Sequence, residues 1–154
     1  SISPLELEKA AKVLPAKAFI LFCQQALPEQ RHALEVTKSL ENAQKTFNLK
    51  PEEYQDLIIA ALLHDCGKSL VKLYLWQKIL IVLINRCPLP LKKYLNSKPG
   101  FLTHTLNIAH QHAEWGESLA KEAGLNQKIC LLIRQHHSPE TKLGKILQEN
   151  DNKH

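Results

Sequence analysis

Residues 61–68 of the chain read ALLHDCGK, an apolar run that leads into an adjacent histidine and aspartate. Apolar residues also recur at helical spacing before this stretch. The ones that share a helix face are Tyr54, Leu57, Ile58, Ala61 and Leu62. His64 lies seven residues after Leu57, so we expect this helix to turn its histidine toward the protein interior. Gly67 is expected to end the helix.

Asp65 directly follows that histidine near the end of an apolar helix. Neighbouring side chains on a helix diverge by about 100°. His64 and Asp65 could therefore ligate one metal ion from two sides, or the carboxylate could bridge two ions. A buried carboxylate needs a cation or several donors. The alternative is a solvent-facing aspartate that follows a core histidine.

The rest of the 154-residue chain shows helical periodicity, and no strand-like alternation persists. Its length fits a single domain over residues 1–154. We predict an all-α, compact, single-domain helical bundle of about seven to eight helices, with the N-terminal helices 4–26 packed on the remainder. The expected helices cover about residues 4–13, 16–26, 28–47, 51–66, 70–84, 101–123 and 127–137, and a last one opens at Ser138-Pro139.

Eight histidines are present, and four of them fall on the apolar stripes of four different expected helices. These four are His32, His64, His112 and His136. One inward histidine is usually a satisfied core residue. Four on separate helices need several buried partners, and a shared metal would satisfy them together.

Composition limits the partners. A formal net charge of +5 suits an anionic ligand such as a phosphate ester, but no Arg-rich or Lys-rich block indicates nucleic-acid binding.

The apolar stretch 70–84 is short and interrupted by charges, so it is interpreted as a buried helix, or less readily as an apolar contact surface, rather than as a membrane span. Scattered cysteines predict reduced thiols in a cytoplasmic protein. The absence of methionine suggests that the chain begins inside a longer product or after a tag.

The combination of Arg31-His32, the segment 61–68 and a distal aspartate in 147–151 (LQEND) resembles the signature of the HD superfamily. The resemblance extends from about residue 29 to 151. It implies a helical fold that binds divalent metal through His32, His64, Asp65 and Asp151. The segments 112–116 (HAEWG) and 133–137 (IRQHH) resemble motifs of the branch that holds two metals. On that basis His112 and His136 would bind the second ion, Asp65 would bridge the two, and His137 would be either an additional ligand or a polar neighbour.

The resemblance further implies a metal-dependent phosphohydrolase that cleaves a small phosphoester, with a nucleotide as one option, by a metal-activated hydroxide. Two divalent ions are expected, drawn from Mn, Fe, Co, Ni, Mg and Zn. Asp65 and Lys68 would be the catalytic residues, with Lys68 neutralising a phosphate oxygen at the rim. Arg31 and Arg134 are further candidates for substrate binding. The oligomeric state is left open.

Departures from related families keep other functions in view. The chain is similar in histidine count to HD-GYP cyclic-dinucleotide phosphodiesterases, but it lacks a Gly-Tyr-Pro tripeptide, and Pro28 occupies the position where a third-metal glutamate is expected. A di-iron HD-type oxygenase would use the same ligands. A non-catalytic nucleotide-binding regulatory module is the third option, although such a module would be free to lose ligands that are intact here.

Overall fold

The structure is a computed structural model, and it describes residues 1–70 and 100–154. This part of the chain is helical and contains no strand. Seven helices are named in chain order: α1 (Pro4–Val13), α2 (Ala16–Gln24), α3 (Leu27–Phe47), α4 (Pro51–Leu63), α5 (Gly100–Glu122), α6 (Gln127–Arg134) and α7 (Lys142–Asp151). The all-α prediction is confirmed. The predicted helix over 70–84 lies outside the described residues. None of the helices in the described ranges has the length and apolar character needed to cross a membrane.

The first helix begins where the sequence predicts it to begin. Ser3 caps α1, and Glu6 completes a capping box: the Glu6 N–H donates to Ser3 Oγ, and the Ser3 N–H donates to Glu6 Oε2. Pro4 occupies the first turn, where a missing N–H costs nothing. Both α1 and α2 pack against α4.

The central element of the described part is α4, which packs against α1, α2, α3, α6 and α7. All seven residues from Leu57 to Leu63 are buried. The sequence predicts a single apolar face, but a helix surrounded by other helices buries every side of its second half. Because His64 and Asp65 follow this buried half directly, they enter the interior with it.

The prediction that Gly67 ends α4 is wrong. The helix ends at Leu63, and residues 64–67 form a turn. Among the glycines of residues 1–70 and 100–154, Gly124, after α5, alone has the positive φ (80°) of a glycine stop. Gly67 instead allows a close backbone approach, because a Cβ there would lie 1.8 Å from the carbonyl oxygen of His112 in α5.

Two other boundaries differ from the expectation. Asn126 caps α6 as predicted, accepting from the Ile129 N–H, but α6 ends at Arg134 and not at about residue 137. The last helix begins at Lys142, after the Ser138-Pro139 pair, because the Thr141 hydroxyl accepts the N–H of Gly144 and caps the first turn there.

Candidate metal centre

His64 and His136 are fully buried, and both lie just after a helix rather than within it. In each case Nδ1 approaches the carbonyl oxygen three residues earlier: Ala61 at 2.8 Å for His64, and Ile133 at 2.6 Å for His136. A carbonyl oxygen only accepts, so Nδ1 carries the proton in both rings. This leaves each Nε2 with a lone pair directed into the interior, which is the tautomer that a metal ligand needs.

Asp65, only 2 % exposed, lies between two sets of histidines. Its Oδ2 is 3.5 Å from Nε2 of His64. Its Oδ1 is 3.6 Å from Nε2 of His112 and 3.7 Å from Nε2 of His136. One carboxylate therefore faces imidazole nitrogens from α5 and from the turns after α4 and α6.

Asp151, the last residue of α7, reaches the other side of the same cluster. Its Oδ1 is 2.7 Å from Nε2 of His32 and 3.3 Å from Nε2 of His64. Residues 119 positions apart in the chain thus meet through the contact between α3 and α7.

Two groups of donor atoms are compact enough to hold a cation, with their ligand atoms within 4.8 Å of one another. The first contains His32, His64 and Asp65, next to Asp151. The second contains His112, His136 and His137. In the second group Nε2 of His137 is 3.0 Å from Nε2 of His112. His137, whose role the sequence leaves open, therefore lies in the same candidate group as His136.

The charges within the cluster act on one another. Burial opposes protonation of His64, but the Asp151 and Asp65 carboxylates beside it outweigh burial and raise its pKa. Burial would raise the pKa of Asp65, but His64 and Lys68 lower it. Burial, followed by the charge on His64, lowers the pKa of His136 to about 3, so this imidazole is neutral at physiological pH.

The donor set fits a divalent cation. Three of the five buried side-chain atoms that lack a hydrogen-bond partner among the described residues belong to this cluster: Nε2 of His64, Oδ1 of Asp65 and Nε2 of His136. Buried polar atoms without partners are costly, and these three converge on one region. Imidazole nitrogens and carboxylate oxygens suit Zn, Fe, Mn, Co and Ni, and cations held by the two donor groups would give all three atoms a partner.

The predicted substrate-binding residues differ in placement. Lys68 lies at the cluster, with Nζ donating to Asp65 Oδ2 at 2.6 Å and its side chain 41 % exposed. The guanidinium of Arg31 donates to Glu6 and to the carbonyl oxygen of Ser1. The guanidinium of Arg134 pairs with two glutamates, Glu114 and Glu117. Within the described residues, none of these hydrogen bonds and ion pairs joins either arginine to the cluster.

Sequence reasoning missed two features that shape the site. One is the backbone approach of Gly67 to α5. The other is Asn150, 2 % exposed, which links α7 to α3 through Ser39. Asn150 directly precedes Asp151, an expected ligand, and this position was a usable signal in the sequence. Its partner Ser39, however, lies 111 residues away along the chain.

A helical interior that collects histidines and carboxylates around unpartnered donor atoms is typical of metal-binding helical proteins. The HD domain family model matches residues 30–153, and the chain belongs to this family. Searches of curated proteins and of solved structures returned no match. HD domains bind divalent metals and are typical of metal-dependent phosphohydrolases, and the two candidate groups described above agree with that character.

Proposed function

We propose that this protein is a phosphohydrolase that uses two divalent cations to cleave a small phosphoester. His32, His64, Asp65 and Asp151 would hold one cation. His112, His136 and His137 would hold the other, with Asp65 contributing its second oxygen. The observation that carries the proposal is the position of Asp65, whose two oxygens face separate groups of imidazoles at 3.5–3.7 Å.

The ligand residues and the cations would have different roles in this reaction. A bound divalent cation lowers the pKa of a water molecule and stabilises negative charge on phosphoryl oxygens. His64 and His136 present fixed Nε2 lone pairs because their Nδ1 atoms donate to backbone carbonyls. The burial of Asp65 and both imidazoles excludes bulk water from the ligand side of the site, which strengthens electrostatic interactions there.

Lys68 provides the exposed positive charge at this cluster. Its Nζ donates to Asp65 Oδ2, and its partly exposed chain can also reach an incoming anion. A phosphate oxygen next to this ammonium would gain a charge-assisted hydrogen bond. Lys68 would therefore orient the substrate phosphate and counter the charge that develops on it.

The experiment measures phosphate release from a panel of nucleoside monophosphates, cyclic nucleotides and simple aryl phosphates in the presence of Mn²⁺, Co²⁺, Ni²⁺ or Mg²⁺. Activity should stop with a chelator. Asp65→Asn keeps the side-chain size but removes the charge. It should lower activity by at least about 100-fold, since even the partners that orient metal ligands are worth 10- to 100-fold.

Glu149→Gln is the matched control, because it also removes one carboxylate charge but from an exposed position of α7. It should retain parental activity. Full activity of Asp65→Asn would contradict the proposal. Oxygen consumption with ferrous iron, together with no phosphate release from any substrate of the panel, would replace it with oxidative chemistry.

A further inference from the structure

The C-terminal helix holds its ligand at a difficult position. Asp151 is the final residue of the ten-residue helix α7, and the last turn of a helix is where fraying is expected. Its Oδ1 nevertheless lies within hydrogen-bonding distance of His32 Nε2, at 2.7 Å. A cation ligand must be placed to within about 0.2 Å. Some contact must therefore fix both the position and the rotation of α7.

Asn150, the residue before Asp151, provides that contact. Its side chain is 2 % exposed and forms hydrogen bonds at both ends of the amide. Nδ2 donates to the Ile146 carbonyl at 2.8 Å, one turn earlier in the same helix. Oδ1 accepts from the Ser39 hydroxyl at 2.8 Å, which crosses to α3. The amide thus connects the last turn of α7 to a neighbouring helix.

The position of Ser39 gives the bond its geometric effect. Ser39 lies seven residues after His32, so the two side chains leave α3 on the same face. The helix α7 is therefore joined to that face at two points, Asn150 to Ser39 and Asp151 to His32. Together with the packing of α7 against α3 and α4, these two contacts from adjacent residues restrain rotation of the helix about its axis.

We propose that Asn150 and Ser39 are positioning residues for the cation site, and that their hydrogen bond sets the placement of Asp151 beside His32. The inference rests on the proposed cation site but not on the phosphohydrolase reaction. Without the hydroxyl, Oδ1 of the buried Asn150 keeps only Lys153 Nζ at 3.3 Å, a donor from an exposed side chain. Of the two contacts that join the last turn of α7 to α3, only that of Asp151 with His32 then remains.

The test is a Co²⁺ titration of the full chain, followed by calorimetry and by the visible absorption of the bound ion. Ser39→Ala should weaken one bound cation about tenfold and alter its visible spectrum, as loss of a residue that orients a ligand does. Ser39→Thr keeps the hydroxyl and should restore parental affinity and spectrum. Ser118→Ala removes an exposed serine whose hydroxyl donates only to Glu114 within α5, and it should bind as the parent does.

A merely structural role would lower the melting temperature of Ser39→Ala without changing cation affinity or the Co²⁺ spectrum, and that result would overturn the inference. Failure of Ser39→Thr to restore binding would overturn it as well. A parent that binds Co²⁺ but releases no phosphate would refute the proposed reaction while leaving this inference testable by the same titration. A parent that binds no divalent cation would overturn both.

Discussion

The close approach of Gly67 to the backbone of α5 makes it an informative position to change. A Cβ at Gly67 would lie 1.8 Å from the His112 carbonyl oxygen and 2.7 Å from the Gly116 nitrogen. These are backbone atoms of one helix, so no rotamer change relieves the overlap. The turn that carries Asp65 and the helix α5 must separate by about 1.5 Å before ordinary contact is restored.

Gly67→Ala should therefore remove the second cation and spare the first. The Asp65 carboxylate now faces His112 at 3.6 Å, and metal–ligand distances tolerate only about 0.2 Å. A separation of about 1.5 Å exceeds that tolerance several times. The first group takes His32 from α3, Asp151 from α7 and His64 from the turn after α4, and the three atoms nearest to a Cβ at Gly67 all belong to α5. The parent should bind about two ions and Gly67→Ala about one, measured by elemental analysis after dialysis.

The mutation also carries a cost in stability, which needs a control. Overpacking typically costs about 1–3 kcal/mol, and each kcal/mol lowers the melting temperature of a domain of this size by about 2–4 °C. Gly124→Ala should cost about 1 kcal/mol or more because Gly124 has φ +80°, but a Cβ there meets nothing within 4 Å. Gly124→Ala should keep both ions. Two ions with parental affinity in Gly67→Ala would refute the reasoning.

Three further predictions concern single side chains. His112→Ala should leave about one ion per chain, while His154→Ala, which removes an exposed histidine, should leave the stoichiometry unchanged; equal ion counts in both would make His112 a core residue. A hydrogen bond from an arginine of α3, followed by the capping bonds of α1, lowers the pKa of Glu6 to about 2. The stabilisation from the Glu6 carboxylate is full above the ordinary pKa of 4.5 and is lost as pH falls toward 2. The free energy of unfolding of Glu6→Gln should therefore change less with pH over this range. An unchanged pH profile would contradict the assignment. Lys68→Ala should lower kcat for phosphate release about 100-fold, whereas Arg134→Ala, which breaks exposed ion pairs, should stay within about twofold of the parent; the reverse order would move the anion contact to Arg134.

Local signals in the sequence predict the helix starts well. The capping box at Ser3 and the Asn126 cap each depend on residues within one turn, and the structure agrees with both. Predictions failed where a residue has two physical uses. Gly67 was assigned the conformation of a helix stop, but its actual use is the absence of a side chain against α5. A single sequence does not distinguish these uses, because the partner backbone lies about fifty residues away.

The candidate metal ligands could be identified from the sequence alone. Divalent cations accept few donor types, so buried histidines and aspartates stand out against an apolar background. The sequence nevertheless assigns His64 and His136 to helix interiors, whereas both lie just past a helix end. There the ring can turn back so that Nδ1 donates to the carbonyl three residues earlier. The side chains were predicted to face inward, but not the hydrogen bonds that fix their tautomers.

Asp151 shows most clearly why local reasoning is incomplete. Its place in the last turn of α7 predicts fraying, and the sequence around it shows no residue type that would fix its side chain. The opposing contacts come from His32 and from the bond between Ser39 and Asn150, both of which cross more than one hundred residues of chain. A ligand set can therefore be identified from residue types alone. Its precision depends on bonds between helices that meet only after folding, so mutations that disable the site need not fall on ligands.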